Sequence, residues 1–267
     1  MQTIILGRTG LKATIAGLGC GGFSRLGLET KGIEHASGIV RTAYDNGVNF
    51  FDTATVYGTQ GAVGRGLKGI ARDSYILSTK FPYDGKSPED LVKALEESLR
   101  ELNTDYIDIY HLHGVKPEDY SWAMESFVPA MRKAVEQGKI RFLGITEFFG
   151  TDTSHRMLKL SIPEDIFDVI MVGHNMLNPS ASKNILPLAR GKNIGVLCMF
   201  AVRNALSDPL KLKKDIGQIL KSGQADPSLF EPENSLGFLT QNGIASSVME
   251  AAYRFCRHTP GIDVVLT

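Results

Sequence analysis

Short apolar runs, many of them rich in β-branched residues, recur along the chain, and most are separated by segments in which apolar residues follow a helical spacing. The eight runs are TIAGLG, NFFDTA, YILSTKF, YIDIYHLH, RFLGIT, VIMVGHN, GVLCMF and DVVLT. Near-continuous apolar strands alternating with amphipathic helices indicate a parallel sheet covered by helices. Eight such units favour a closed (β/α)8 TIM barrel over an open doubly wound sheet.

Local signals mark individual elements. Proline in the first turn and acids near the positive end of the helix dipole predict a helix from Pro88, with leucines on one face. Asp152, Thr153 or Ser154 is expected to cap a helix through HRMLKL. Ahead of the first unit, TIILGRTGLKATI predicts a β-hairpin around Arg8-Thr9-Gly10 that plugs the N-terminal mouth of the barrel.

The domain organisation follows from the same pattern. No low-complexity tract or Pro/Gly/Ser linker marks a boundary, so we expect a single (β/α)8 domain over residues 1–267. The eighth run ends at Thr267, the last residue, and we expect the segment after strand eight to be missing. The stretch Leu206–Gln241 predicts a loop and a helix that extend over the site.

Composition narrows the class of partner. The chain has 29 basic and 29 acidic residues without runs of like charge, so we expect neither nucleic acid nor a membrane surface as partner. Three scattered cysteines, Cys20, Cys198 and Cys256, argue against a disulfide framework and a structural zinc site. The N-terminus does not read as a signal peptide, and no apolar stretch reaches membrane-spanning length. These features predict a cytoplasmic protein with a small-molecule partner.

Polar side chains follow several of the predicted strands, at the barrel end where the βα-loops converge. The second strand ends in Asp52 with Tyr57 beyond it, the third in Lys80 and the fourth in His113. Taken singly, a strand-end Asp is often a turn residue, a loop Tyr is often packing, and a lone Lys or His usually faces solvent. Three consecutive strands with such residues indicate a candidate site.

The four side chains suit proton transfer. A phenol has an ordinary pKa near 10 and donates a proton poorly unless its phenolate is stabilised, which a nearby lysine ammonium does. Asp52 would hold Lys80 charged, and His113 would donate a hydrogen bond to the substrate oxygen or relay a proton. Such a site is suited to protonating a carbonyl oxygen as hydride arrives at its carbon.

The motifs GLGCGGFSRLG, DTATVYG, LSTK, DYIDIYHLH, GKIRFLGIT and GHNMLNP, in this order and spacing, resemble those of the aldo-keto reductases. The resemblance covers the chain from the hairpin to the last residue. It implies a barrel that binds NADPH, or less often NADH, and reduces aldehydes or ketones, with Tyr57 as general acid and Asp52, Lys80 and His113 as its partners. The cofactor contacts are then assigned to Gly21, Gly22, Phe23, Asp52, Thr146, Met171, Phe200 and Arg203.

Some positions depart from the family pattern. Thr146-Glu147 and Met171 stand where many members carry Ser-Asn and Gln to hold the nicotinamide amide, and Met171 cannot form the glutamine's hydrogen bonds. Phe200 replaces a stacking tyrosine as the preferred apolar wall, and Arg203 is assigned to the pyrophosphate. The segment that grips the adenosine 2′-phosphate in the family follows strand eight, so preference for NADPH or NADH stays open.

Other functions compete with this interpretation. Gly17–Gly22 fits G-x-G-x-x-G, but a loop follows where a Rossmann fingerprint needs a helix. His111 and His113, with Asp52 and His174, could hold a divalent ion in a metal-dependent barrel hydrolase, although this leaves Tyr57 and Lys80 without a role, and we assign no metal. The departures at the amide contacts also allow a cofactor-sensing regulatory subunit with low turnover. The aromatic residues expected near a substrate pocket are Phe23, Phe81, Tyr83, Trp122, Phe148 and Phe149.

Overall fold

The computed structural model describes residues 1–223, Asp226, Ser228 and residues 236–267. The strands are β1 (Thr3–Ile5), β2 (Lys12–Thr14), β3 (Ala16–Gly19), β4 (Phe50–Asp52), β5 (Ile76–Pro82), β6 (Ile107–Val115), β7 (Ile140–Glu147), β8 (Val169–Gly173), β9 (Gly195–Met199) and β10 (Val264–Leu266). Strands β3 to β10 are parallel and close into a barrel, in which β10 pairs back with β3. The (β/α)8 barrel predicted from the sequence is confirmed.

Helices cover the outside of the barrel. They are α1 (Leu28–Asp45), α2 (Gln60–Gly66), α3 (Pro88–Leu102), α4 (Tyr120–Glu136), α5 (Arg156–Glu164), α6 (Ala181–Asn184), α7 (Leu186–Gly191), α8 (Arg203–Ser207), α9 (Pro209–Lys221) and α10 (Val248–Arg257). The helix predicted from Pro88 forms, and a capping box between Ser87 and Asp90 fixes its start. Of the three expected caps for α5, Asp152 accepts the N–H groups of Arg156 and Met157.

The period of two along each strand divides the side chains into two apolar clusters. The outward-facing residues pack under the helices. The inward-facing residues near the start of the strands, such as Phe50, Ile76 and Ile109, fill the N-terminal half of the barrel. Polar residues two positions further along the same strands, Asp52 and Ser78 among them, therefore lie above an apolar floor.

The N-terminal hairpin of β1 and β2 closes the bottom of the barrel, as predicted. Leu6, at its turn, is fully buried in the interior cluster. Arg8 donates its backbone N–H to Asn193 and its guanidinium to Asp165 and Asp168. These contacts anchor the hairpin and leave the opposite, C-terminal mouth as the accessible end.

The expected loop and helix at Leu206–Gln241 are described only in part. Helix α9 begins at Pro209 and is capped by Asp208, and residues 224, 225, 227 and 229–235 lie outside the described part of the chain. Whether this stretch extends over the site stays a prediction. Among the residues that the structure describes, no helix has the length and apolar character needed to cross a membrane.

Candidate active site

The four predicted catalytic side chains are brought to one side of the C-terminal mouth. Asp52 is the last residue of β4, and Lys80 lies on the neighbouring strand β5. The Lys80 ammonium donates to Asp52 Oδ2 at 2.5 Å and to the backbone oxygen of Thr53 at 2.6 Å. The same ammonium lies 4.9 Å from the centre of the Tyr57 ring, whose hydroxyl oxygen is 3.3 Å from His113 Nε2.

Tyr57 is carried by a short 3₁₀ turn, Thr55–Tyr57, directly after β4. Gly58 ends this turn in the left-handed conformation that glycine adopts without strain. Gly21, in the loop after β3, lies against the ring, since a Cβ there would come within 2.7 Å of Tyr57 Cε2. The ring is thus held between a glycine backbone and the Lys80 ammonium, while the hydroxyl faces His113.

Asp52 and Lys80 form a buried ion pair. Both side chains are almost fully buried, with exposed fractions of 4% and 1%. Burial lowers the pKa of Lys80, but the Asp52 carboxylate and Tyr57 outweigh it, so the pKa of Lys80 is raised above its ordinary value. Burial raises the pKa of Asp52, opposed by Lys80 and by the hydrogen bond from Ser78. Lys80 is therefore held as an ammonium ion beside Tyr57.

The sequence predicts that Lys80 lowers the pKa of Tyr57, and its charge does act in that direction. Burial is the larger effect, however, so that the pKa of Tyr57 is raised above its ordinary value near 10. The phenol is therefore fully protonated at neutral pH. Burial and the Lys80 charge also lower the pKa of His113 to about 3, so this imidazole is neutral.

A second hydrogen-bonded layer lies under the four residues. Ser78 donates its hydroxyl to Asp52 Oδ1 at 2.7 Å, and His111 Nε2 lies 3.1 Å from the same hydroxyl oxygen. Gly144 on β7 makes room for the His111 ring, which a Cβ would meet. His111, two positions before His113 on β6, thus lies in the barrel interior beneath it. It fixes the Ser78 hydroxyl, which in turn fixes Asp52.

The predicted cofactor residues of the first loop are open at the mouth. Gly22 has a positive φ of 74° and free space around it, and Phe23 is 93% exposed. Thr146, at the end of β7, accepts the Gly114 N–H at 2.7 Å and keeps its own hydroxyl proton to donate. Gly22 and Phe23 are thus accessible at the mouth, whereas Thr146 is 1% exposed and offers only its hydroxyl proton.

Met171, which the sequence assigns to the cofactor, lies among the apolar residues of the barrel interior. Its side chain is 3% exposed and belongs to the apolar cluster that fills the barrel, together with Leu197 and Val169. Met171 on β8 pairs in register with Thr146 on β7. Inward-facing apolar neighbours enclose its side chain, so it forms part of the apolar floor beneath the mouth. A methionine there offers at most an apolar surface from below.

Phe200 and Arg203, assigned to the cofactor, lie together after β9. Phe200 is 42% exposed, and its ring stacks against that of Phe149 at 5.9 Å. The Arg203 guanidinium carbon lies 4.5 Å from the centre of the Phe200 ring and 5.6 Å from that of Phe149. Two aromatic rings thus orient a cation that no carboxylate among the described residues neutralises.

Sequence reasoning missed a buried polar cluster beside this stack. Glu147, the last residue of β7, has both carboxylate oxygens within 3.0 Å of His155 Nδ1. Glu147 also accepts the Gly173 N–H, and His155 Nε2 lies 2.8 Å from Ser180 Oγ. The one available signal in the sequence was the carboxylate of Glu147 at the end of a buried strand. A carboxylate is buried at such a position only when it has a polar partner.

Two of the expected pocket aromatics are corrected by the structure. Phe81 and Tyr83 are buried and pack outward, Phe81 against Phe127 and Tyr83 against Trp122. They alternate with Lys80, so they face the helices when Lys80 faces the barrel interior. Phe148, which is exposed above Gly114, stays a candidate for the substrate side.

The metal-dependent alternative needs a ligand cluster. Among the described residues no group of three or more His, Cys, Asp or Glu side chains is arranged to hold a metal ion. Asp52 is engaged by Lys80 and Ser78, and His111 by Ser78. The proposed ligands are thus committed to one another, and the geometry favours the proton-transfer site.

Comparison with curated proteins finds several relatives. An L-galactose dehydrogenase from Arabidopsis thaliana is 32% identical over 206 residues, which cover 72% of this chain and 62% of that protein. A probable aldo-keto reductase from Glycine max is 29% identical over 211 residues, covering 74% of this chain and 58% of the relative. Both alignments span less than two thirds of the relative's length. An aldo-keto reductase from Bacillus subtilis is 27% identical across 100% of this chain and 84% of its own.

Solved structures share the fold. An aldo-keto reductase from Bacillus halodurans in its holo form has a TM-score of 0.73 at 24% identity and covers 99% of this chain and 85% of its own. An aldo/keto reductase from Klebsiella pneumoniae, in complex with NADP and acetate, has a TM-score of 0.70 at 22% identity, with 99% of this chain and 84% of its own covered.

The sequence profile of the Aldo/keto reductase family matches residues 17–257, which run from the first barrel strand to the end of α10. Because this match spans nearly the whole barrel, the chain belongs to the aldo/keto reductase family.

Proposed function

We propose that the protein reduces aldehydes or ketones to alcohols with a nicotinamide cofactor, NADPH or alternatively NADH. One observation carries the proposal: a protonated phenol, Tyr57, lies between the buried Lys80 ammonium and the neutral imidazole of His113 at the accessible mouth. Family membership supports it, and the complex of the Klebsiella pneumoniae relative with NADP supports the choice of cofactor. The substrate is a small carbonyl compound.

The residues of the chain act on the carbonyl oxygen. His113 is neutral and can donate from a ring nitrogen, so it orients the oxygen beside the Tyr57 hydroxyl. Tyr57 then donates its proton to that oxygen as negative charge develops there. The Lys80 ammonium stabilises the phenolate that remains, and Asp52 holds Lys80 in place. A bound reduced nicotinamide supplies the hydride.

The chemistry of the mouth fits a dinucleotide. Phe200, which is 42% exposed, offers aromatic surface to a flat ring, and Thr146 offers a hydroxyl to its amide. Arg203, which pairs with no carboxylate in the described part of the chain, offers a cation to a diphosphate. Gly21 and Gly22 allow the backbone of the first loop to approach closely. The carboxylate of Glu147 is fully engaged with His155, so it does not take the place of the amide-binding asparagine.

The test is a measurement of cofactor binding followed by turnover. NADPH and NADH should each be titrated by calorimetry, and then the oxidation of the preferred one monitored with a panel of aldehydes and ketones. L-galactose with the oxidised cofactor, in the reverse direction, belongs in the panel because one relative is an L-galactose dehydrogenase. Binding with a single burst and no sustained turnover would favour the regulatory-subunit alternative. Absence of both binding and turnover would refute the proposal.

The shifted pKa values of Tyr57 and His113 determine how the rate should depend on pH. With the pKa of His113 near 3 and that of Tyr57 above its ordinary value, neither group titrates in the neutral range. We expect kcat for carbonyl reduction to stay within about twofold from about pH 5 to about pH 9. Alcohol oxidation, which needs the phenolate as base, should instead rise with pH over this range. A reduction profile with a pKa between 6 and 8 would contradict these assignments.

A further inference from the structure

Glu147, His155 and Ser180 are connected in the order of a catalytic acid, base and hydroxyl nucleophile. Whether they can act as a nucleophilic triad depends on whether Ser180 can donate its hydroxyl proton to His155. Asn178 Oδ1 accepts the Ser180 N–H at 3.2 Å, and Asn178 Nδ2 donates to Thr153 O at 3.3 Å, which fixes the orientation of the amide. Ser180 Oγ lies 2.5 Å from the same Oδ1 and can form that bond only as the donor.

The remaining bonds then fix the role of His155 Nε2. Since the Ser180 proton is given to Asn178, His155 Nε2 must donate to Ser180 Oγ across 2.8 Å. Nδ1 lies 2.9 Å from Glu147 Oε2 and shares one hydrogen bond with that carboxyl group. His155 Nε2 is committed as a donor, so it has no free lone pair with which to accept the serine proton. The cluster is a buried hydrogen-bonded network rather than a nucleophilic triad.

The Glu147–His155 pair is joined to the mouth through stacked rings. The His155 ring lies 5.7 Å from that of Phe149 at 22° between planes, and Phe149 stacks in turn on Phe200 at 27°. Gly173, whose N–H binds Glu147, also makes room for the Phe149 ring. The contacts thus run from Glu147 inside the barrel wall to the partly exposed ring of Phe200.

The backbone around the stack is strained. His155, Phe200 and Arg203 have positive φ values of 61°, 64° and 54°, in the left-handed region that side chains of this size rarely adopt. Asn175 donates its side-chain amide to the backbone oxygen of Phe200 at 3.2 Å and helps to hold that conformation. Strained backbone of this kind persists where surrounding contacts fix it, and it clusters at binding sites.

We propose that Glu147 and His155 are positioning residues for the dinucleotide, and that they act through Phe149 to hold Phe200 and Arg203 in a preformed wall. The wall presents an aromatic face for the nicotinamide and a cation for the diphosphate. It takes the place of the amide contacts that Glu147 and Met171 do not make. This inference rests on the proposed function.

The test compares two buried carboxylates. Glu147→Gln keeps the size and the acceptor for Gly173 but removes the carboxyl group that binds His155. Asp108→Asn is the matched control, because Asp108 is equally buried and pairs with Arg72 and Arg141 at the N-terminal end of β6. We expect Glu147→Gln to raise the Kd for NADPH roughly tenfold. We expect kcat at saturating NADPH to stay within about threefold, and Asp108→Asn to leave the Kd unchanged even where it lowers stability.

The outcomes separate this inference from the proposed function. An unchanged Kd in Glu147→Gln, or an equal rise in both variants, would overturn the positioning role alone. A wild-type chain that binds neither NADPH nor NADH would overturn both. If Glu147→Gln does not fold, Phe149→Leu tests the same claim by removing the ring that joins His155 to Phe200, and it should weaken NADPH binding by a similar factor.

Discussion

Replacing Tyr57 with phenylalanine is expected to lower kcat for carbonyl reduction by about 10²- to 10⁴-fold, the range over which a positioned general acid contributes. The ring stays between Gly21 and Lys80, and the variant loses only a hydroxyl whose hydrogen bond to His113 Nε2 is 3.3 Å long. The free energy of unfolding should therefore change by less than about 1 kcal/mol. Steady-state kinetics at saturating cofactor and urea unfolding measure the two quantities.

Tyr83→Phe provides the matched control. Tyr83, like Tyr57, carries a hydrogen-bonded hydroxyl, but its ring is fully buried and its hydroxyl donates to Asp119 on the outer side of the barrel. This variant should keep kcat within about twofold, because its hydroxyl does not face the mouth. A Tyr57→Phe variant that retains more than about a tenth of the wild-type kcat would remove Tyr57 from its proposed role.

The fold and the four-residue cluster could be predicted because both depend on short-range pattern. Each barrel strand is a compact apolar run, and parallel strands bring their carboxyl ends to one mouth whatever the details of packing. Once the two strands are identified, Asp52 and Lys80 can therefore be predicted to lie close together. The same alternation could also have excluded Phe81, since a residue next to an inward-facing lysine must face outward.

The remaining features depend on loop geometry that the pattern does not contain. Glu147 meets His155 eight residues later and, through it, Ser180 in another loop. These contacts require the left-handed backbone conformation that His155 adopts. The presence of a histidine in the sequence does not predict that conformation. The raised pKa of Tyr57 could not be predicted from the sequence either. The burial that outweighs the effect of the Lys80 charge depends on how the loops pack around the phenol in the folded protein.

Replacing Lys80 with methionine is expected to remove turnover and also to destabilise the fold by about 3–5 kcal/mol. Methionine fills much of the same space, but it leaves the Asp52 carboxylate buried with Ser78 as its remaining side-chain donor. A buried charge that has lost its partner is the main cause of such a cost. Loss of activity in this variant alone would therefore not separate a catalytic role from unfolding.

The double variant Asp52→Asn/Lys80→Met makes that separation, since it removes both charges while the introduced amide oxygen can still accept from Ser78. We expect it to be more stable than the sum of the two single changes predicts, by about 0.5–3 kcal/mol, and to fold but not turn over. In Lys80→Met the lone carboxylate has a raised folded-state pKa, so protonation relieves it, and the stability deficit should shrink as pH falls from about 8 to about 5. Urea unfolding of the four proteins at both pH values measures this. Strictly additive, pH-independent losses would mean that Asp52 and Lys80 are not a buried ion pair.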